Sequence, residues 1–466
     1  MWKTNIILSL LKYLFGIPVT LFCKTGVKSP RNILIVIFIL IPVTACAISV
    51  KEYRLENGLK VLVAEDHKAP TATFQVWYRV GSRDEPAGKT GMSHLLEHMM
   101  FKGTGTYGPK TFSQTVQRAG GRNNAYTTRE YTAYFELMAA DRIRLPIILE
   151  SDRMRNLVLK PSSVLSERDV VMEERRLRYE DDPRNLLYME VMAAAFKNHP
   201  YRWPVIGWKP DLETLKPADL VSYYRTYYAP NNAVIIVAGD VKAEDILSAI
   251  RKSFGGIPPG PVITGSAAKE EEQYGEKRIY IKKEAELPAL LSVYKVPNIK
   301  DEDGYALEVL GTVLSEGRSS RIYRSLVYGK QLALSAWAGY DGMYRDPFLF
   351  MTGATAARGK AIGEVEKALL VEIERIKKEP PSMREVRKAK NQIEASFVMD
   401  QDSLYMQAKM IGAFEMIGGW RLLDDYLAGI RKVSPEDVSR VARKYLVPER
   451  RTTGILIPLE KGPGDE

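Results

Sequence analysis

Apolar residues recur with helical spacing in the stretch GMSHLLEHMMFKGT, residues 91–104. Apolar positions at i, i+3, i+4 and i+7 predict a helix with one face in the core. Gly103 follows the last periodic position, where glycine often ends a helix because it adopts left-handed backbone angles without steric cost. The pattern therefore predicts a short amphipathic helix whose apolar face consists of Met92, Leu95, Leu96 and Met99.

The residues around this helix alternate between apolar and polar positions in several short runs, which predicts strands. Residues 53–65 are expected to form two strands joined at Asn57-Gly58, a dipeptide typical of hairpin turns. Further strands are predicted at 71–80, around 125–126, at 132–137 and at 232–239. Helical spacing predicts helices at 109–118, 141–159, 164–179, 212–228 and 243–254.

The same order of elements recurs after residues 255–275, which contain GGIPPGP and an acidic run and are predicted to be a linker. Residues 278–296 alternate like the early strands. Residues 305–314 predict an apolar helix at the place of the first helix, but without histidine. The repetition predicts an internal duplication, with the second copy free of metal. The expected divisions are a leader at 1–48, a zinc-bearing domain at 49–256, a linker at 257–276 and a second domain at 277–466.

The composition is that of a soluble globular protein, with 45% hydrophobic and 27% charged residues. A chain of 466 residues is too long for one ordinary core, so two or more domains are expected. Half of the net charge of +10 comes from the first 48 residues, which hold five basic residues and no acid. No compact basic stripe with interleaved aromatics remains in the body, so nucleic-acid binding is not expected. Cys23 and Cys46 both lie in the leader, so the body has no disulfide or Cys-ligated metal.

Residues 32–45, NILIVIFILIPVTA, follow basic residues and precede small ones, which is the layout of a secretory signal. Two cleavage patterns compete: ACA at 45–47 fits ordinary signal peptidase, and VTAC at 43–46 resembles a bacterial lipobox that would leave its cysteine lipidated. A second apolar segment at 5–23 leaves a retained membrane anchor, or a true start at Val27, as alternatives. We expect export across the bacterial inner membrane into the periplasm, with membrane contact only through this leader or a lipid anchor.

Two imidazoles, His94 and His98, lie four residues apart on the first predicted helix, with Glu97 between them. Residues at i and i+4 share a helix face, so both imidazoles can bind one zinc, and Glu97 is close enough to act on a zinc-bound water. The order His-x-x-Glu-His inverts the more common zinc-protease helix. Isolated histidines are more often ordinary packing or surface residues, but two of the four histidines in this chain fall in this one turn. The pattern therefore predicts one zinc ion per chain.

A catalytic zinc site usually takes three protein ligands and keeps one position for water, so a third ligand is needed. The later helix VLSERDVVMEERRLRY offers Glu167 and Glu174, seven residues apart on one face, with Val170 and Val171 between them on that face. A carboxylate on an apolar face is costly unless it is paired or bound to a metal. Glu173 points about a quarter-turn away, towards charged neighbours, as a solvated residue does. We therefore predict that Glu174 is the third ligand.

These motifs resemble the pitrilysin/insulinase family of zinc peptidases, most of all its mitochondrial-processing-peptidase-like bacterial branch. The resemblance rests on the inverted helix, the SERDVVMEE segment and the 76 positions between His98 and Glu174, and it covers the whole body of the chain. It implies an α+β fold of two homologous α/β-sandwich halves, each a mixed, mostly antiparallel sheet with helices on one side, that form a clamshell. It also implies zinc ligation by His94, His98 and Glu174, Glu97 as general base, and Glu167 as an accessory acid.

The string GGRNNAYTTREYTAY matches the family segment that includes a sheet edge pairing with the substrate. This match implies that Asn124, Ala125 and Tyr126 contact a peptide substrate through strand addition. An ordinary place in the sheet is the alternative for most of these side chains.

The second copy departs from the family at two positions. Family members that act alone carry an Arg shortly ahead of a Leu-x-Tyr motif, and that Arg and Tyr assist substrate binding and the tetrahedral intermediate. Val327 stands at the place of the Arg and Leu334 at the place of the Tyr, while Tyr328, Lys330 and Tyr340 are out of register. We therefore expect a heterodimer in which a homologous subunit supplies the Arg/Tyr pair.

Taken with the resemblance, the sequence predicts a zinc-dependent endopeptidase subunit that cleaves peptides or unfolded segments. The alternative is a non-catalytic scaffold or peptide-binding subunit of a processing complex. The complete set of His94, Glu97, His98 and Glu174 argues against that alternative, because a scaffold has no chemical need for it.

Overall fold

Each half of the chain folds around one mixed β-sheet. The computed structural model describes residues 49–265 and 268–459, so the predicted leader lies outside the described residues. The N-terminal half, residues 49–254, contributes six strands in the order β1-β2-β6-β3-β5-β4, in which only β2 and β6 pair in parallel. The strands are β1 Val50–Arg54, β2 Lys60–Glu65, β3 Thr71–Tyr78, β4 Arg122–Thr127, β5 Thr132–Ala139 and β6 Ala233–Gly239.

The hairpin predicted at Asn57-Gly58 is confirmed, and Gly58 takes a φ of +88°. A Cβ at this residue would lie 2.9 Å from the Cβ of Asn231, so both backbone angle and space require glycine. The hairpin sets the register that turns Val61 and Val63 of β2 into the core.

Eight helices of the described N-terminal half accompany this sheet. The helix predicted at 212–228 is wrong as a single element, because the structure has two helices with Lys216 extended between them. Pro217 begins the second helix, and the residue before a proline disfavours helical angles. The helices are α1 Met92–Met100, α2 Thr111–Arg118, α3 Arg144–Asn156, α4 Pro161–Arg175, α5 Pro183–Ala195, α6 Lys209–Thr214, α7 Pro217–Tyr227 and α8 Ala243–Phe254.

The C-terminal half, residues 277–459, repeats this topology. Its sheet has the order β7-β11-β8-β10-β9, with β7 and β11 parallel, and it matches the order β2-β6-β3-β5-β4 strand for strand. The matching orders confirm the two similar α+β halves expected from the sequence. The strands are β7 Lys277–Glu284, β8 Ala289–Val296, β9 Ala333–Asp341, β10 Phe348–Ala356 and β11 Arg451–Leu459. The helices are α9 Glu302–Ser315, α10 Ile362–Lys378, α11 Met383–Asp400, α12 Leu404–Ile417, α13 Leu422–Lys432 and α14 Pro435–Tyr445.

The two halves interlock through one helix each: the other helices of each half lie on one side of its own sheet, as expected, and a helix of the other half covers the second side. Helix α12 covers the outer face of the N-terminal sheet, where Ile411 packs in one cluster with Trp77 and Ile236. Helix α5 covers the outer face of the C-terminal sheet in the same way, with Val191 beside Leu291. Each sheet therefore lies between the helices of its own half and one helix of the other half.

Glycine allows the close approach at both crossings. A Cβ at Gly412 of α12 would lie 2.3 Å from Cε2 of Trp77. At the other crossing the glycine is on the sheet, where a Cβ at Gly454 of β11 would lie 2.3 Å from Cγ2 of Val191. The backbone and the opposing side chain are thus in contact at both places, which fixes the halves against each other.

The segment between the halves is held by Glu270. Its carboxylate accepts hydrogen bonds from the backbone N–H groups of Lys197, Asn198 and His199, and forms an ion pair of 2.7 Å with Lys295. These contacts lower the pKa of Glu270 to about 2 although burial opposes the shift, so the carboxylate is ionised at neutral pH.

Within the part of the chain that the structure describes, no helix is long and apolar enough to cross a membrane.

Candidate metal centre

Helix α1 is fixed at its first turn by Glu85, whose carboxyl group is buried. Glu85 accepts hydrogen bonds from the backbone N–H of Gly91 at 2.8 Å and of Ser93 at 2.7 Å, two of the donors that a helix start leaves without intrahelical partners. Burial raises the pKa of Glu85 to about 8 although these hydrogen bonds oppose the shift. The apolar face of α1, with Leu95 and Leu96 fully buried, packs in the core as predicted.

Helix α4 brings the acidic residues to α1. Val171 is fully buried and anchors α4 in the core of the N-terminal half. The expectation that Val170 shares the apolar face is wrong, because its side chain is 49% exposed. Glu173 points to solvent and pairs with Arg176 at 2.7 Å, as the helix periodicity indicated.

The structure brings the two histidines and Glu174 together. Oε2 of Glu174 lies 3.8 Å from Nε2 of His94 and 3.5 Å from Nε2 of His98. One donor atom from each residue falls within 4.8 Å of the other two, and no other such group of three occurs among the described residues. Ligands at ~2.1 Å from a tetrahedral zinc are ~3.4 Å apart, so the nitrogen–oxygen spacings fit a zinc ion.

The electrostatics of the two imidazoles suit metal ligation. Burial, together with the charge of His98, lowers the pKa of His94 to about 4, so its ring is neutral at pH 7 and has a lone pair to donate. Burial also acts to lower the pKa of His98, but contacts with Glu174 and Glu167 outweigh it and raise that pKa. The contact with His98 in turn lowers the pKa of Glu174, which favours the carboxylate form that binds metal.

Glu97 lies on the same helix but is held by a different element. Its Oε2 accepts a hydrogen bond of 2.6 Å from Oγ1 of Thr127, the last residue of β4. Burial raises the pKa of Glu97, whereas the Thr127 hydrogen bond and the nearby His98 oppose that rise. A half-buried carboxylate with a raised pKa beside the candidate metal ligands is suited to accept and return a proton.

Glu167 contacts the far side of His98 and is not one of the three converging groups. Its Oε1 lies 3.0 Å from Nδ1 of His98, and its other oxygen pairs with Lys102. A carboxylate on the outer nitrogen of a ligating histidine fixes the ring orientation and directs Nε2 to the metal. The structure thus places Glu167 where it can orient His98.

Sequence reasoning missed two residues of this site. Arg178 lies 2.9 Å from Oε1 of Glu174, on the carboxylate oxygen that faces away from the histidines. The i, i+4 spacing of Glu174 and Arg178 could have indicated this pair. No sequence pattern indicates Thr127, because only the folding of β4 against α1 brings its hydroxyl to Glu97, 30 positions away.

The predicted substrate-binding residues lie on an open sheet edge. Strand β4 is outermost in its sheet and pairs only with β5. The Asn124 side chain is exposed, whereas Ala125 packs against the core and Tyr126 stacks edge-on against Trp77 at 5.9 Å. The side chains of Ala125 and Tyr126 therefore serve packing, and the free backbone edge and Asn124 stay available.

The C-terminal half has apolar side chains where the family resemblance expects an Arg and a Tyr. Val327 packs against the core of that half, and Leu334 on β9 is 62% exposed. The Tyr340 hydroxyl donates a hydrogen bond of 2.8 Å to the Pro297 carbonyl, so it already has a structural partner.

Two family models match the chain. One described as Insulinase (Peptidase family M16) matches residues 60–208 and spans α1 and α4. A second, described as Peptidase M16 inactive domain, matches residues 214–393.

Curated relatives and solved structures extend the similarity over most of the chain. A protein named zinc protease PqqE from Helicobacter pylori is 31% identical over 408 residues, 87% of this chain and 92% of the relative. A probable mitochondrial-processing peptidase subunit beta from Arabidopsis thaliana is 27% identical, over 88% of this chain and 78% of the relative. A crystal structure of a protease from Helicobacter pylori superposes with a TM-score of 0.86 at 30% identity, covering 88% of this chain and all of the other.

Proposed function

Because this chain belongs to the insulinase (M16) family of peptidases, we propose that it is a zinc-dependent endopeptidase that cleaves peptides or unfolded segments. The convergence of His94, His98 and Glu174, with Glu97 on the same helix, is the observation that carries the proposal. These residues would hold one zinc ion per chain, and the names of the zinc-protease relatives support this metal.

The chemistry proposed for this site divides between the metal and the protein. Zinc, when bound, supplies Lewis acidity that polarises the scissile carbonyl and acidifies water. Glu97 takes up the proton of the attacking water and then delivers it to the leaving amine. Thr127 holds one oxygen of that carboxylate and leaves the other for the proton, and Glu167 keeps the His98 ring in orientation.

The substrate backbone would add to the free edge of β4. An extended peptide can form main-chain hydrogen bonds along this edge independently of its side chains. Because β4 ends at Thr127, a peptide on this edge runs towards Glu97. Asn124 is the side chain placed to contact it, and the roles of Ala125 and Tyr126 would be limited to their backbone groups.

We further propose that the active form is a heterodimer. The apolar Val327 and Leu334 leave this chain without the Arg/Tyr pair expected from the family resemblance, and a homologous subunit could supply it.

The leader pattern supports export to the periplasm, with a cleaved signal, a lipid anchor or a retained anchor as the three forms. A purely non-catalytic scaffold is the alternative function, and the preserved ligand and base residues speak against it.

Metal content and cleavage, measured on the same samples, test the proposal. The purified protein should hold about one zinc per chain and cleave unfolded peptides in a chelator-sensitive way when the partner is present. Glu97→Gln should keep the zinc and abolish cleavage, whereas the His94→Ala/His98→Ala double variant should lose the zinc. Full zinc occupancy in the double variant, or undiminished cleavage by Glu97→Gln, would refute the proposed site.

A further inference from the structure

Two equivalent hairpin turns meet where the halves touch. One joins β4 to β5 at residues 128–131, and the other joins β9 to β10 at residues 342–347. The turns occupy matching places in the two sheets, because β4 and β9 are the matching edge strands. Glu130 of the first turn and Arg345 of the second turn are in direct contact.

Arg345 binds two carboxylates of the N-terminal half at once. Its Nε donates to Oε2 of Glu130, and its backbone N–H donates to Oε1 of the same carboxylate at 3.2 Å. Its Nη2 donates to Oδ2 of Asp84 at 2.9 Å and to the Glu130 carbonyl at 3.1 Å. Glu130 is 2% exposed and also pairs with Arg83 at 3.2 Å, so its charge is compensated within the protein.

The two carboxylates belong to segments that lead directly to the candidate metal centre. Asp84 precedes Glu85, which holds the first turn of the histidine helix α1. Glu130 follows Thr127 by three residues, and Thr127 donates to Glu97. One arginine of the C-terminal half therefore touches both the segment that positions the histidines and the segment that positions the base.

These two segments are also bonded to each other. The backbone N–H of Ser82 donates to the Thr128 carbonyl at 3.1 Å, and that of Arg83 donates to the Arg129 carbonyl at 3.1 Å. Thr128 stiffens its own turn, since its hydroxyl accepts from the backbone N–H of Glu130 and of Tyr131 at 3.0 Å. The segments around Asp84 and Glu130 thus form one hydrogen-bonded unit, and a change at Arg345 affects both of them.

We propose that Arg345 is a positioning residue through which the metal-free half sets the geometry of the histidine helix and of Glu97. This inference rests on the proposed function, since it assigns Glu97 the role of base. Removing Arg345 takes one of two basic partners from the buried Glu130 and breaks the ion pair of Asp84, so these carboxylates must find water or move. A displacement of ~1 Å in a catalytic group can cost ~100-fold in rate, so a small shift of the 128–131 turn would be visible in catalysis. The fold thereby gives the C-terminal half a role in catalysis through Arg345.

The test compares Arg345→Met with a matched variant at another contact between the halves. Arg79 pairs with Glu415 of α12 in a similar setting, since the arginine side chains are 28% and 35% exposed and the carboxylates 2% and 3%. Each carboxylate also has a second basic partner: Arg83 pairs with Glu130, and Lys60 pairs with Glu415. Arg79→Met therefore reproduces the loss of a buried ion pair between the halves without touching Glu130 or Asp84.

Both variants are expected to lower the unfolding midpoint, but only Arg345→Met should lower kcat, by about tenfold or more, with KM within about threefold of wild type. Hydrogen exchange followed by mass spectrometry should show faster exchange in residues 81–93 and 126–132 for Arg345→Met alone. Arg345→Lys keeps the charge but not the planar fork, so it should recover part of kcat. If Arg345→Met does not fold, Arg345→Lys compared with Arg79→Lys replaces that pair.

Equal kcat in the two methionine variants, or faster exchange spread over the whole N-terminal half, would overturn the positioning role. The exchange measurement requires no peptidase activity. A wild-type protein that cleaves nothing even in the presence of its homologous partner would end the proposed function, and the exchange pattern would still decide whether Arg345 fixes these two segments.

Discussion

The Thr127 hydroxyl donates a hydrogen bond of 2.6 Å to Oε2 of Glu97 and so joins the end of the edge strand β4 to the candidate base. A hydrogen bond to a charged group contributes about 1.5–3 kcal/mol, which corresponds to roughly tenfold to a hundredfold in rate if it fixes the reactive geometry. We predict that Thr127→Val lowers kcat by this range and leaves zinc content unchanged. Thr127→Ser keeps the donor and should retain most of the activity, so equal losses in both variants would contradict this role of the hydroxyl.

Glu174 and Glu173 are adjacent carboxylates with opposite surroundings. Glu174 faces both histidines, whereas Glu173 pairs with Arg176 in solvent. Glu174→Gln should therefore lose most zinc affinity, and Glu173→Gln should bind zinc like the wild type. Competition with a chromogenic chelator measures the zinc dissociation constants of both variants. The reverse order of affinities would show that the histidines use the other carboxylate.

The isolated chain should be a poor peptidase that a homologous partner activates. Val327 and Leu334 provide no donor for a developing oxyanion, and losing one such donor typically costs about a hundredfold to a thousandfold in rate. Peptide cleavage should be measured on the purified chain, and then after addition of a homologue that carries the Arg/Tyr pair. Strong zinc-dependent cleavage by the verified monomer or homodimer would rule out the heterodimer.

Glu85 should make the free energy of unfolding depend on pH. Burial raises its pKa from 4.5 to about 8, so between these values the folded state holds a proton that the unfolded state has released. The contribution of Glu85 to stability is therefore complete below about pH 4.5 and is lost as the pH rises to about 8, by up to about 1.4 kcal/mol per pH unit. Urea unfolding at several pH values should show this loss in the wild type relative to Glu85→Gln. A difference between the two proteins that stays constant from pH 5 to pH 8 would contradict the raised pKa.

Gly412 should not tolerate a methyl group. Alanine favours helices by about 1 kcal/mol over glycine, but a Cβ here would lie 2.3 Å from the fully buried Trp77. We predict that Gly412→Ala destabilises the protein by about 1–3 kcal/mol through overpacking. Gly363 in α10 has open space at its Cβ position, so Gly363→Ala is the control and should be neutral or stabilising. Thermal unfolding of the two variants measures the difference.

The site residues that could be predicted from the sequence are those fixed by the geometry of a single helix. His94 and His98 share a face because they are four residues apart, and Glu174 was separated from Glu173 by the same periodicity. The hairpin at Gly58 and the repeated order of elements were likewise predictable, since turn chemistry and period-two alternation are local properties. Val170 shows the limit of this reasoning, because Val170 and Val171 lie about 100° apart on opposite sides of the Glu167/Glu174 face, and only the packing decides that Val171 is buried and Val170 exposed.

The tertiary structure decided everything that joins one element to another. Thr127 reaches Glu97 across 30 positions and Arg345 reaches Glu130 across 215, and no periodic pattern relates residues so far apart. The exchange of α5 and α12 between the halves was equally hidden, because an apolar helix face does not indicate which sheet will cover it. The sequence alone therefore determined the candidate ligands and the helices that carry them, through backbone periodicity. The packing of two interlocked halves determined how those donors meet and what holds them, because these contacts exist only once distant segments are buried together.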